Sequence, residues 1–114
     1  MSGMKTVLVK DGMPSVEQAR ARLQSELLSA RRGGITILKL IHGYGSSGVG
    51  GDLRISLQST LQQMARSGEI AECIHGENWR TSDERTWALL KRMPELKKDP
   101  DLGRGNKGIT VIVL

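Results

Sequence analysis

The hydrophobic pattern of the first part of the chain alternates between strand-like and helix-like segments. Residues 5–9 predict a short strand. Ser15 and Gln18 have the spacing of a capping box, and apolar residues follow at helical spacing as far as Gly33. Residues 35–41 are nearly all apolar, which predicts a central strand that is buried on both faces.

The rest of the chain predicts two further strands and two further helices. A helix with a leucine-rich stripe is expected from Asp52 to Gly68, followed by a strand over 69–75. A short extra helix is expected near 83–93, begun by a capping box of Thr81 and Glu84, and a last strand over 109–114. The order β-α-β-α-β-β predicts an α/β two-layer sandwich, in which two main helices cover a four-stranded mixed sheet.

Length and charge narrow the class of protein further. The 114 residues suit a single domain, 1–114, with the segment 76–105 as an insertion before the last strand. The net charge of +5 and the pI of about 9.8 favour polyanionic partners. Aromatic residues make up only 3% of the chain, which argues against a platform of stacked bases. If nucleic acid is bound, we expect phosphate contacts and shape to dominate.

The compartment is predicted from what the chain does not contain. No apolar run is long enough for a membrane span or a signal peptide, so no membrane partner is expected. The single cysteine, Cys73, cannot form an internal disulfide, and we expect it to be buried and inert. These observations together favour the cytoplasm.

The most informative local feature is the glycine-rich stretch 42–51, which lies between a buried strand and the start of a helix. Glycines allow sharp turns and close approach to a ligand, and the amino end of a helix attracts anions. Arg54, one turn into the helix, could add charge. The alternative is a plain connection without a ligand. The pairs His42-Gly43 and His75-Gly76 end successive predicted strands, so both histidines would emerge at one sheet edge if those strands are neighbours.

Two other phosphate-binding motifs fit this stretch less well. Residues 43–48 match G-x-G-x-x-G, and Glu69 follows at about the spacing of a dinucleotide-binding fold. Only one strand-helix-strand unit follows this motif, so such a domain would be badly truncated. A Walker A loop is excluded because no Gly-Lys-Ser/Thr follows. Two histidines without a cysteine or carboxylate cluster do not indicate a metal site, and no cofactor is expected, although a divalent metal ion stays open.

The order of these motifs resembles the Smr (small MutS-related) domain family. The family pattern His-Gly-x-Gly is matched by His42-Gly43-Tyr44-Gly45. A leucine-rich helix follows in both, and the family's glycine-rich ending before a Val/Leu strand is matched by residues 105–114. The resemblance implies a two-layer α/β sandwich that binds DNA or RNA. Several family members are endonucleases, and some of them act on RNA at the ribosome.

Two departures from the family pattern bear on activity. Active members carry Leu-Asp-Leu-His-Gly after the first strand, whereas this chain has Leu8-Val9-Lys10-Asp11-Gly12 and therefore lacks the histidine. A group that exchanges protons near neutral pH is needed for acid–base cleavage of a phosphodiester. The second departure is the long segment 76–105, which either widens a phosphate-binding surface or is a solvated loop whose helix covers a sheet edge. Between Lys91 and Lys107 the chain has six basic and three acidic residues.

The sequence thus predicts a nucleic-acid-binding Smr-like domain with weak or no endonuclease activity. The alternatives are an active endonuclease that uses His42 with Asp11 or His75, and a protein-interaction module that uses the segment 76–105. Trp87 shares one side of its predicted helix with Leu90, and both Trp79 and Trp87 are expected to pack within the fold, with base stacking as the alternative. The residues expected to contact nucleic acid are Gly43, Tyr44, Gly45, Arg54, Arg104 and Lys107. The oligomeric state is not predicted.

Overall fold

A computed structural model of the chain describes residues 3–12, 14–43 and 49–114, and for 49–51 it describes the backbone alone. The strands are β1 (Met4–Leu8), β2 (Ile37–Ile41), β3 (Glu72–His75) and β4 (Ile109–Val113). The α-helices are α1 (Val16–Arg32), α2 (Val49–Ser67) and α3 (Glu84–Arg92), and two short 3-10 helices span Gly76–Asn78 and Pro94–Lys98. The predicted α/β class and the predicted order of elements are confirmed.

The four strands form one mixed sheet in the order β1-β2-β4-β3. β1 and β2 are parallel, whereas β4 runs antiparallel to both of its neighbours, β2 and β3. All five residues of β4 are buried, because this strand lies inside the sheet with elements packed on both faces. The chain therefore returns to the middle of the sheet for its last strand.

The helices α1 and α2 cover one face of the sheet. α1 begins at the predicted capping box, in which the Ser15 hydroxyl accepts from the Gln18 amide and the Gln18 side chain accepts from the Ser15 amide. Both helices bury a stripe of apolar residues at helical spacing: Ala19, Leu23, Leu27 and Ala30 from α1, and Leu53, Leu57, Leu61 and Met64 from α2. In the described ranges, no helix combines the length and the apolar character that a membrane crossing requires.

The segment between β3 and β4 covers the opposite face of the sheet. Its buried residues Trp79, Leu90 and Leu96 pack against a second apolar cluster that includes Ile74 and Val111 of the strands. The segment 76–105 therefore does not only cover a sheet edge, as one of the two interpretations of the sequence expected, but forms a partial third layer over a face. Trp79 is fully buried, as expected. The packing expected of Trp87 is wrong, since this side chain is 45% exposed.

Three of the differences between the predicted and the observed element boundaries have a clear physical reason. α2 begins at Val49 rather than Asp52, because glycines weaken a helix without excluding its geometry. α3 is capped by Asp83 rather than Thr81, since the Asp83 carboxylate accepts from the Thr86 amide at 3.0 Å. The strand expected from residue 69 begins at Glu72. Residues 69 and 70 instead donate their amides to the Met64 carbonyl and close α2.

A buried ion cluster joins the third layer to the sheet. Lys39, in the middle of β2, is 4% exposed, and its ammonium group contacts the carboxylates of Asp99 (2.9 Å) and Asp101. Asp99 also accepts from the Trp79 indole at 3.0 Å, and Asp101 accepts from the Asn106 amide at 3.0 Å. We refer to these five residues as the Lys39 cluster. A buried charge is tolerated only when it is paired and hydrogen-bonded, and each charge here meets that condition.

The pKa shifts in the Lys39 cluster follow from these contacts. Burial by itself would lower the pKa of Lys39, but hydrogen bonds to Asp101 and Asp99 and their negative charges hold it above its ordinary value. The hydrogen bond from Lys39, aided by that from Asn106, holds the pKa of the Asp101 carboxyl below its ordinary value. The stability that Asp101 contributes is therefore present above its unfolded pKa of about 4 and is lost as the pH falls through the lowered folded pKa.

Replacing Lys39 with methionine is expected to destabilise the fold strongly at neutral pH. The variant leaves two carboxylates beneath the third layer without their counter-ion, which costs about 3 kcal/mol. The difference from the wild type should shrink below about pH 4, because the stability that the Lys39-paired Asp101 carboxylate contributes to the wild type is lost as the pH falls through its lowered pKa. Urea unfolding at several pH values measures both effects. Lys5→Met is the control, since its ion pair with Glu26 is partly exposed and solvent screens it to about 1 kcal/mol or less. Equal losses of stability in Lys39→Met and Lys5→Met would contradict the assignment of Lys39 as a buried, paired charge.

Candidate nucleic-acid interface

One edge of the sheet brings together residues that are far apart in the sequence. β2 and β3 both run antiparallel to β4, so their carboxyl ends point the same way, as does that of β1. His42 follows β2, His75 ends β3, and Gly108 precedes β4. We call this the carboxyl edge. The two histidines share it although β4 separates their strands, which are not the neighbours that the expectation assumed.

Backbone contacts fix the loop that follows β2. The Gly108 carbonyl accepts from the amides of His42 and Gly43, each at 3.0 Å. Gly43 has φ +75°, a conformation that favours glycine, and a Cβ there would lie 3.5 Å from the Cδ of Lys10. Lys10 therefore lies against the His42-Gly43 backbone. The loop that follows β1 thus supplies a cation to the carboxyl edge.

Gly76 allows the chain that leaves β3 to pass close to the chain that enters β4. A Cβ at this position would lie 1.7 Å from the Asn106 carbonyl oxygen, so no other residue fits without a backbone shift. The Asn106 side chain in turn accepts from the Gly108 amide at 2.8 Å. Because of these contacts, His75-Gly76 lies beside the segment 106–108, whose Gly108 carbonyl accepts from the amides of His42 and Gly43.

His42 lies at the centre of a buried hydrogen-bond chain. Its Nδ1 is 2.6 Å from the Gly43 carbonyl, which can only accept, so Nδ1 donates its proton there. Its Nε2 therefore accepts from the Thr110 hydroxyl at 2.9 Å, and the oxygen of that hydroxyl accepts from the Gln58 amide at 3.4 Å. Burial lowers the pKa of His42, and the charge of Arg54 acts in the same direction. The ring is therefore neutral near pH 7, with both nitrogens engaged and no exposed surface.

His75 has a different environment at the same edge. Its ring is half-buried, and its Nε2 is 3.4 Å from the Gln62 amide nitrogen. Burial also lowers the pKa of His75, while the charge of Glu77 opposes this and those of Arg85 and Arg54 reinforce it. Of the two histidines, His75 is the one whose ring reaches solvent.

Arg54 and Glu77 hold polar atoms that the described residues do not satisfy. The Nε of Arg54 and the Oε1 of Glu77 are buried and have no hydrogen-bond partner in the described part of the chain. Both charges act on the pKa values of the two histidines, so both groups lie near the carboxyl edge. A buried donor or acceptor without a partner is uncommon in folded proteins and often marks a position where a ligand or water binds.

The structure places the other predicted site residues as follows. Lys107 is exposed and directly precedes Gly108, at the carboxyl edge. Asp11 is exposed in the turn after β1, where its backbone carbonyl accepts from Arg22. Arg104 is exposed in the turn that follows the Lys39 cluster, and its charge contributes to the lowered pKa of Asp101. Tyr44, Gly45 and most of the G-x-G-x-x-G stretch lie outside the described residues.

Metal-ligating side chains are not clustered in the described ranges. No three residues among His, Cys, Asp and Glu come close enough there to hold a metal ion. The Cys73 thiol is buried, as expected, and burial raises its pKa. The described groups at the carboxyl edge are cations, amides, neutral imidazoles and the Glu77 carboxylate.

Comparison with known proteins bears on the fold. The crystal structure of the Smr domain of Thermus thermophilus MutS2 superposes with a TM-score of 0.59, at 22% sequence identity and over 96% of each chain. The chain has an Smr-like fold. No protein-family model and no curated protein matches the sequence. The predicted resemblance is thus confirmed at the level of the fold.

Four residues of the Smr-like carboxyl edge were not among the predicted site residues: Lys10, Gln58, Glu77 and Thr110. Lys10 belongs to the stretch Leu8-Val9-Lys10-Asp11-Gly12, which departs from the family's first-strand motif. Glu77 directly follows the second His-Gly pair, so its place in the sequence was a usable signal. Gln58 and Thr110 interrupt apolar stripes of a helix and a strand, and a polar residue inside such a stripe indicates a buried hydrogen bond.

His42 should make the stability of the fold depend on pH. Its pKa is lowered in the folded state, so acidification below about pH 6.5 protonates the unfolded chain first and reduces the free energy of unfolding. We expect His42→Gln to lose part of this dependence between pH 7 and pH 5, measured by urea unfolding. His75→Gln, the control, should retain the part of this pH dependence that comes from His42. An unchanged slope in His42→Gln would contradict the buried neutral assignment.

Proposed function

We propose that this domain binds nucleic acid by holding phosphate groups at the carboxyl edge of the sheet, with weak or no endonuclease activity. The observation that supports this most directly is the set of three cationic residues that separate parts of the chain bring around the His42-Gly43 backbone. Lys10 lies against Gly43, Lys107 directly precedes Gly108, and the buried Nε of Arg54 has no hydrogen-bond partner among the described residues. DNA and RNA share the phosphate that such a site recognises.

Phosphate suits this arrangement for two physical reasons. Arginine presents a planar fork of donors that matches phosphate oxygens, and lysine adds a point charge. The amino end of α2 lies within the glycine-rich stretch 42–51, so the helix dipole adds partial positive charge near Arg54. Exchange of small counter-ions for these side chains favours binding and makes it sensitive to salt.

Weak or absent cleavage is proposed because the acid–base groups are poorly disposed. The turn after the first strand has Lys10-Asp11 where active family members have histidine. His42 is neutral and both of its ring nitrogens are hydrogen-bonded, so proton transfer through it would require one of these hydrogen bonds to break. We therefore assign His42 the role of positioning the Gly43 backbone.

A second candidate function, endonucleolytic cleavage, is favoured by one observation. His75 is partly accessible, and the charges of Arg54 and Glu77 act on it at the carboxyl edge. A neutral imidazole near a cation is able to accept a proton from an attacking water or hydroxyl group. In this alternative His75, rather than His42, is the acid–base group.

The binding proposal predicts a clear order of variants. Labelled single-stranded RNA, hairpin RNA and duplex DNA are titrated by fluorescence anisotropy at two salt concentrations. Arg54→Ala and Lys10→Ala should each weaken binding about 5-fold and reduce the salt slope by about one. Arg32 is an exposed arginine at the carboxyl end of α1, so Arg32→Ala should have little effect on binding. The proposal would be refuted if Arg54→Ala and Lys10→Ala lost no more affinity than Arg32→Ala, or if no nucleic acid bound in a salt-dependent manner.

The same mixtures, supplied with magnesium or manganese, separate binding from cleavage. We expect no cut product from excess substrate. Product that disappears in His75→Ala but persists in His42→Ala would establish the second candidate function and refute the weak-activity proposal.

A further inference from the structure

The outer surface of the third layer is more basic than its sequence suggests. Within residues 80–104 six cationic residues are exposed and have no ion pair in the described part of the chain: Arg80, Lys91, Arg92, Lys97, Lys98 and Arg104. Only Glu84 and Glu95 are exposed among the acidic residues of this range. We call this surface the outer face.

The imbalance arises because the other acidic residues of the range are engaged in internal contacts. Asp99 and Asp101 bind the buried Lys39 ammonium group. Asp83 caps α3 and pairs with Arg85. The Lys39 cluster thus removes two negative charges from the surface while it fastens the layer to the sheet. An outer face of this composition has the charge complementarity that a polyanion requires.

Trp87 gives the outer face a second property. Its side chain is 45% exposed on α3, whereas the helix buries Thr86, Leu89 and Leu90. The ammonium of Lys91 lies 5.8 Å from the centroid of the Trp87 ring. An indole that stays half in solvent among cations, rather than in the adjacent core, offers a flat surface on which a base could stack.

We propose that the outer face binds a single-stranded segment of nucleic acid, with one base stacked on Trp87 and the neighbouring phosphates near Lys91 and the other exposed cations. The inference rests on the proposed function only for the chemical class of the ligand, and it adds a contact on the face of the sheet opposite α1 and α2. A single strand is specified because stacking on a side chain requires an unpaired base. A single tryptophan provides for one base, so phosphate contacts still supply most of the affinity, in keeping with the low aromatic content.

The test uses the intrinsic fluorescence of the two tryptophans. Trp79 is buried and hydrogen-bonded, so a change in emission on adding single-stranded oligothymidylate should come from Trp87. We expect oligothymidylate to quench the tryptophan emission of the wild type but not that of Trp87→Phe. The same titrations are also followed by anisotropy, which reports binding independently of the tryptophans. Trp87→Ala should weaken binding about 5-fold or more, the loss typical of one stacked base. Leu28→Ala, an equally exposed apolar residue on α1, should bind as the wild type does.

An abasic oligonucleotide of the same length separates stacking from charge. It should bind more weakly than oligothymidylate and should not quench Trp87. Equal quenching by the abasic strand, or wild-type affinity in Trp87→Ala, would overturn the inference and leave Trp87 as a surface residue without a role in binding.

Comparison with Arg54→Ala distinguishes this inference from the proposed function. Weaker binding in Trp87→Ala with unchanged binding in Arg54→Ala would support the outer face and refute the carboxyl edge. The reverse result would refute the outer face and support the carboxyl edge. Absence of binding by any oligonucleotide would overturn both.

Discussion

The entry of β4 between β2 and β3 is the constraint on which the rest of the molecule depends. The Gly108 carbonyl, just before this strand, holds the amides of His42 and Gly43, and the Thr110 hydroxyl bonds the ring of His42. Because β4 runs antiparallel to both neighbours, the carboxyl ends of the other three strands lie beside its start. Residues separated by more than sixty positions in the sequence thereby share one edge of the sheet.

The buried Lys39 sets the character of the opposite face. A lysine in the centre of a sheet requires counter-ions, and the third layer supplies them from Asp99 and Asp101. The same contacts fasten the segment that leads into β4 and leave a cationic outer surface. Stability and surface charge are therefore coupled in this part of the fold, and a change at Lys39 should alter both.

The sequence pattern predicted the fold class because the main elements follow simple periodicities. The helix that starts at Ser15 and the apolar strand ending near Ile41 are determined by local signals, namely a capping box and a buried hydrophobic run. The position of β4 inside the sheet and the face covered by the segment 76–105 depend on contacts between distant residues, which periodicity does not report. The resemblance of the glycine motifs, rather than the pattern, indicated the Smr-like arrangement.

The candidate site was predictable in part for the same reason. The two His-Gly pairs mark strand ends, so their meeting at one edge could be expected from the topology. The closed hydrogen-bond chain of His42 could not, because it depends on Thr110 and Gln58 in other elements. The exposure of Trp87 was also missed, since helical spacing alone placed it beside Leu90 and not on the flank facing solvent.

The most direct test of the central claim is a map of backbone amide shifts by two-dimensional NMR while a short single-stranded oligonucleotide is added. The account predicts that the largest shifts at the carboxyl edge fall on Gly43, Arg54 and Lys107. Amides at the opposite edge, such as those of Gly34 and Gly68, should stay unchanged. Shifts confined to that opposite edge, or no shifts at low salt, would contradict the claim that the contacts at the start of β4 build a phosphate-binding site.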